Sequence, residues 1–218
     1  MVHATVDEIP GFPENSIEAR LVDTTPEQLA LVNGAYEEIR RKADGVTNPL
    51  VAGLRARQLS ELAKVPMMAD EINDQVEAGN SVVVFQCFHD SMDALKSMLK
   101  VPAVVIDGRR SESVRVQSVD TFQADDAPVC LAQIASGGVG VSLHAIRSDS
   151  RPRVSYICPS YSASEVTQAC GRIWRAGSYH KAVQNIILLA GSIETDVYSA
   201  VNRKSGNLSA FTDADFGG

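Results

Sequence analysis

The chain has 218 residues, 44% hydrophobic and 22% charged, enough for one substantial core with a helical appendage. Its formal net charge of -7 argues against a free-standing nucleic-acid module, which ordinarily carries a basic excess to neutralise phosphates. No apolar run approaches the roughly 18 residues of a membrane span, and residues 1–10 carry acids where a signal peptide carries basic residues. No membrane association is expected, and the expected location is cytoplasmic or nuclear, not secreted.

The charge is unevenly spread. Residues 1–80 hold 14 acids and 7 basic residues, residues 81–218 hold 13 of each, and the stretch 96–181 holds 11 basic residues against 7 acids. A phosphate-facing surface is therefore expected in that last stretch. Cys87, Cys130, Cys158 and Cys170 are too widely spaced for a Cys-x-x-Cys pair, and the four histidines lack ligand spacing. Buried reduced thiols and no metal site are expected.

In chain order, residues 1–80 read as helical. Thr25-Pro26-Glu27 supplies an N-cap and a first-turn proline before the amphipathic run 28–42, and a turn follows at 44–49. A second helix over about 55–78 places Leu59, Leu62, Val65, Met68 and Ile72 on one apolar face, with Pro66 expected to kink or split it. From residue 81 short apolar runs alternate with helical segments. Strands are expected at 82–86, 103–106, 129–134, 154–158 and 185–189, and helices at 91–99, 111–122, 162–174 and 193–204. That alternation predicts an α/β fold with a parallel sheet, whose ligands bind at the carboxyl ends of the strands. The expected organisation is a helical lead-in at 1–80, a lobe at 81–204 and a mobile tail at 205–218.

Four segments carry chemistry. In Gln168-Ala-Cys-Gly171-Arg172-Ile-Trp-Arg175-Ala-Gly177, continuous helix would put Gln168, Arg172 and Arg175 at i, i+4 and i+7 on one face, with Gly171 allowing close approach. Two guanidiniums aimed together suit a polyphosphate, although alone they equally suit a solvated face with surface ion pairs. The loop Ala135-Ser136-Gly137-Gly138-Val139-Gly140-Val141-Ser142-Leu143 follows a buried strand and could turn backbone N–H groups toward phosphate oxygens. It lacks the Gly-Lys-Ser/Thr ending of a P-loop and the third glycine of a dinucleotide fingerprint, so by itself it also fits a plain turn. The third segment is the strand ending Phe85-Gln86-Cys87-Phe88-His89. The fourth is the turn Ile106-Asp107-Gly108, followed by Arg109, Arg110, Arg115 and Phe122-Gln123.

These segments, in this order and with Ser192-Ile193-Glu194 before a last helix, resemble the second RecA-like lobe of superfamily 2 helicases, most closely in its Swi/Snf-type DNA translocase form. The resemblance covers residues 10–204 and is specific from residue 81 onward. It implies a RecA-like parallel sheet flanked by helices, with an N-terminal helical segment. It also implies that Arg172 and Arg175 act as arginine fingers on ATP bound by another lobe, with Gln168 positioning them or the attacking water. Ser136, Gly138 and Gly140 would couple the nucleotide cleft to the nucleic-acid backbone. Gly137, Phe85, Gln86, His89, Gly108, Arg109 and Arg110 would lie toward a nucleic-acid track, expected to be double-stranded DNA.

No Gly-x-x-x-x-Gly-Lys-Ser/Thr occurs in the chain, so ATP and Mg2+ would be held mainly by a partner lobe carrying the P-loop. Asp7-Glu8 and Asp70-Glu71 are decoys for a magnesium box: no P-loop precedes the first, and the second falls inside a helix. A solitary non-catalytic module that binds nucleic acid or a motor is the alternative. A Rossmann-type oxidoreductase or methyltransferase is disfavoured, because the first strand after residue 80 runs into Gln86-Cys87-Phe88 with no glycine fingerprint.

Overall fold

The computed structural model describes residues 14–41, 49–134, 141–160, 162–192, 194, 195, 198 and 199; the side chains of 38–41, 49–52 and 163 lie outside that description. Elements run β1 (Asn15–Val22), α1 (Pro26–Arg41), α2 (Pro49–Glu77), β2 (Ser81–Gln86), α3 (His89–Met98), β3 (Ala103–Ile106), α4 (Glu112–Gln123), β4 (Val129–Gln133), β5 (Arg153–Ile157), α5 (Ala163–Ile173) and β6 (Ala182–Leu189). The six strands form one parallel sheet in the order β1-β6-β5-β2-β4-β3. With helices on both faces, this is the RecA-like α/β architecture.

Strand alternation builds the layers. Val82 and Val84 of β2 face Met68, Ile72, Met92 and Leu95 of α2 and α3, while Val83 and Phe85 face Phe122, Val166, Ala169 and Ile173 of α4 and α5. Every β2 residue is buried, as a central strand covered on both faces requires. Serines start the helices on the second face: Ser111 Oγ accepts from Val114 N and Ser162 Oγ from Glu165 N. Thr25 Oγ1 accepts from Gln28 N ahead of Pro26, the expected start of α1.

Two expectations are corrected. Residues 15–22, read as part of a helical lead-in, form strand β1, paired in parallel with β6 from Asn15↔Ala182 to Val22↔Leu189. Of the two outcomes expected at Pro66, a kink or a split, the split is excluded, because α2 runs unbroken through it. Pro66 faces solvent, so the Leu62 carbonyl that its missing N–H leaves unbonded lies on the hydrated side of the helix. Of the expected last helix, residues 194, 195, 198 and 199 are helical and the remainder lies outside the described residues.

Arg153, at the start of β5, is 1% exposed, and its charge is answered locally. Its Nη1 donates to Asp125 Oδ1 at 2.8 Å, its Nη2 donates to Gln123 Oε1 at 3.1 Å, and the guanidinium lies 4.5 Å from the Phe122 ring centre. Asp125 holds φ at 61° and also accepts from Ser81 Oγ and Arg151 N, joining the end of α4 to the starts of β2 and β5. Burial alone would raise the Asp125 carboxyl; the hydrogen bond and charge of Arg153 outweigh it and hold the group below its ordinary value. A depressed carboxylate stabilises the fold above its unfolded value of about 3.9, and that contribution is lost as pH falls through the lower folded value. Asp125→Asn should therefore lose about 1–3 kcal/mol at neutral pH, the range for a buried group left poorly paired, and show a flatter acid limb. Urea midpoints measured between pH 6 and 2 check this, and a wild-type acid limb in the variant would remove Asp125 from the titration.

Candidate nucleotide and nucleic-acid site

The sequence-derived residues fall into two groups near opposite edges of the sheet. Because β5 and β6 are parallel, α5 leaves the carboxyl edge after β5 and returns toward the amino edge before β6. The arginine segment ends that return path. The turns after β2 and β3 lie at the carboxyl edge.

At the end of α5 the helical-face argument holds for Gln168 and Arg172 and fails for Arg175. The helix stops at Ile173, and Trp174 is extended, with φ -136° and ψ 118°. Trp174 is buried in the α4/α5 core, and seating its ring there takes the chain out of helical geometry before Arg175. Arg175 turns back: its Nε donates to Gly171 O at 2.9 Å and its Nη1 donates to Ser142 Oγ at 3.0 Å. The first bond satisfies one of the carbonyls that a helix carboxyl terminus leaves open. Both acceptors are neutral, so neither cancels the guanidinium charge. Gln168 is exposed and Gly171 is buried.

Arg172 is half-buried and feels Arg175 directly. Burial first, and repulsion from Arg175 second, hold its guanidinium below the ordinary arginine value. The same neighbourhood acts on His144, which burial, then Arg175, then Arg153 keep below the usual imidazole value. The segment after the glycine loop is pinned here: Leu143 N donates to Arg172 O at 2.8 Å, and Gln123 Nε2 donates to Ser142 O and His144 O. Ser136, Gly137, Gly138 and Gly140 lie outside the described residues.

At the carboxyl edge, Asp107 is fully buried just after β3 and collects two guanidiniums and an imidazole. Arg109 donates from Nε to Asp107 Oδ2 at 2.7 Å and closes a two-pronged pair with Asp93 at 2.7 and 2.9 Å. Its hydrogen bonds to Asp93 and then Asp107 raise its pKa, and Arg109 in turn lowers that of Asp93. Arg110 Nε lies 4.0 Å and His89 Nε2 3.9 Å from the same Asp107 carboxylate. Gln133, at the end of β4, donates to Cys87 O at 3.5 Å and stands 3.9 Å from where a Cβ on Gly108 would be, bridging the two turns.

Phe85 and Gln86 do not belong to this rim. Phe85 is 4% exposed in the core and Gln86 fully buried, because β2 is central; neither presents a side chain to a track. Arg109 is exposed but committed to two carboxylates. The sequence assigns no role to Ser142, although it closes the glycine segment, and gives no sign of Gln133, Asp93 or Glu61. A serine two residues beyond a glycine cluster carried a weak signal, whereas a lone Asp or Glu on an amphipathic helix carried none.

The thiols are not reactive groups. Burial pushes Cys130 and Cys170 up to about 12, and burial with the adjacent Glu61 does the same to Cys87. Among the described residues no group of three His, Cys, Asp or Glu could hold a metal ion, and no helix is long and apolar enough to cross a membrane.

Residues 63–177 match the helicase conserved C-terminal domain family. The chain is 32% identical over 192 residues to a protein of Acanthamoeba polyphaga mimivirus described as an ATP-dependent RNA helicase, covering 84% of this chain and 35% of that protein. It spans about a third of that relative's length. Its fold is similar to the Sulfolobus solfataricus SWI2/SNF2 ATPase C-terminal domain, with a TM-score of 0.63, 16% identity and coverage of 90% of this chain and 89% of that one. It is also similar to part of the SWI2/SNF2 ATPase core from the same organism in complex with dsDNA, with a TM-score of 0.63, 18% identity and coverage of 94% and 47%. With the family match spanning more than half of the chain and the sheet order and flanking helices described above, the protein belongs to the helicase conserved C-terminal domain family.

Proposed function

We propose that this chain is the second motor lobe of an ATP-dependent translocase. In this reading it supplies Arg172 and Arg175 to ATP and Mg2+ held chiefly by a first lobe with a P-loop, and lends His89, Gly108 and Arg110 to a double-stranded DNA track. The observation that carries the reading is the pair of guanidiniums at the end of α5. Arg175 is fixed by two neutral acceptors, and Arg172 stands close enough to be repelled by it. Like charges held together in a partly buried site favour an anion with several oxygens, and guanidinium forks match phosphate geometry.

The dsDNA complex of a structurally similar core supports DNA as the track, against the RNA helicase description of the viral relative. The isolated chain should hydrolyse no ATP above background with or without DNA, and should bind duplex DNA no more tightly than about 10⁻⁶ M at physiological salt. Joined to its first lobe, it should hydrolyse ATP with stimulation by duplex DNA exceeding that by single-stranded RNA. Steady-state hydrolysis and fluorescence anisotropy measure both. Nanomolar binding by residues 1–218 alone would instead favour an independent binding module, and real turnover by them would remove the half-motor reading.

A further inference from the structure

We infer that Glu61 of α2 is the positioning residue for the β2–α3 turn that faces nucleic acid, an inference that rests on the function proposed above. The amino end of a helix exposes N–H groups with no internal partner, ordinarily answered by a side chain of the N-cap residue. In α3 the N-cap is Phe88, which makes no such bond. Glu61, on a different helix and 3% exposed, takes the role. Its carboxylate accepts from Cys87 N at 3.1 and 3.0 Å, from Phe88 N at 3.1 Å, and from Ser91 Oγ.

The seat is built for a charge. A buried carboxylate needs compensation beyond hydrogen bonds, and α2 provides it on the same face, with Arg57 one turn before and Lys64 one turn after. Arg57 donates to Cys87 Sγ at 3.6 Å and lies 5.6 Å from the Phe88 ring centre, so it grips the same turn. Lys64 is raised in pKa against its burial by Glu194, with Glu61 also contributing. Two consequences follow. The path of residues 87–91, and with it the placement of His89 beside Asp107, is set by α2. The amino end of α3, where a phosphate would otherwise bind, is occupied by an internal anion. Nucleic-acid phosphates are then left to the side chains of the rim.

The test uses the two-lobed motor and separates track affinity from chemistry. In Glu61→Gln the duplex DNA concentration for half-maximal ATPase stimulation should rise about tenfold, the scale of one lost charge-assisted hydrogen bond. Turnover at saturating DNA and KM for ATP should stay within about twofold, a small change beside a tenfold one. Gln58→Ala, which removes a contact between α2 and Asp90 of α3 and leaves the turn's N–H groups untouched, should leave all three parameters at wild-type values. If Glu61→Gln does not fold, Ser91→Ala, which removes one of the bonds to Glu61, carries the test with an expected rise of about threefold. A motor that duplex DNA does not stimulate overturns the proposed function and this inference together. A stimulated wild type whose Glu61→Gln or Ser91→Ala form needs no more DNA than wild type, or loses turnover at saturating DNA, overturns this inference alone.

Discussion

Arg175→Ala in the complete motor should lower ATP turnover by a factor of about 10³ to 10⁵, the usual worth of an arginine finger in phosphoryl transfer. Affinity for ATP should barely change, because most ground-state contacts belong to the lobe with the P-loop. The expectation follows from charge: the transition state spreads negative charge over the transferred phosphoryl oxygens, and Arg175 brings a guanidinium that no carboxylate of the described residues contacts. Arg172→Ala should behave similarly. Lysine at 175 should rescue poorly, since an ammonium lacks the planar fork that bonds Gly171 O and Ser142 Oγ while leaving an edge for a phosphate. Steady-state hydrolysis with nucleotide binding measured in parallel decides it. Wild-type turnover in Arg175→Ala would remove the finger role.

The second large effect concerns stability. Lys64 is 1% exposed, and its Nζ donates to both Glu194 oxygens at 3.0 Å and to Ile187 O at 3.2 Å. Glu194 also accepts from Leu189 N at 2.8 Å, so the pair locks the exit of β6 against α2. Glu194→Ala strands a buried ammonium and should cost about 3–5 kcal/mol, the range for breaking a buried pair from one side. Lys64→Met combined with Glu194→Leu should cost less than Glu194→Ala alone, because no ammonium is stranded and Glu61 keeps Arg57 as a compensating cation. Urea denaturation of the isolated chain measures both, and equal losses would show that the charge is not the source. The pH dependence has a definite sign. A raised lysine stabilises the fold below its unfolded value of about 10.4 and yields that stability only as pH climbs through the higher folded value.

Much of this architecture is legible from apolar periodicity. The reading gives β3 at 103–106 at both ends, and β4 and β5 to within one residue. β1 escapes it because NSIEARLV mixes polar and apolar residues in a strand largely open to solvent, and its partner lies near the other end of the sequence. The arginine cluster is legible as residue types in order, but its geometry is not. Spacing treats Arg175 as helical, whereas burial of Trp174 ends the helix first. Phe85 and Gln86 mislead for a related reason: a motif at the end of a strand does not reveal that the strand is central. The ionic interior formed by Glu61, Lys64 and Glu194 was least accessible, because a charged residue on an amphipathic helix reads as a solvent-facing one until the packing is known.

The pairing of β1 with β6 has a further consequence for how the protein is made. During synthesis the sheet cannot be completed when β1 emerges, since among the described residues its one neighbour in the sheet, β6, is the last strand in chain order. Residues 15–22 must wait while α1, α2 and the strands β2 to β5 form ahead of β6. Contacts so distant in sequence are slow to close, and an unpaired strand edge is prone to join another chain in the interval. β6 inherits the same exposure in any version trimmed to the family match at residue 63, because it becomes the sheet's open edge. Its apolar sequence, AVQNIILL, would then face neighbouring molecules at that edge. β1 thus covers that edge of β6, and a version lacking residues 15–22 is expected to give less soluble protein than one that keeps them.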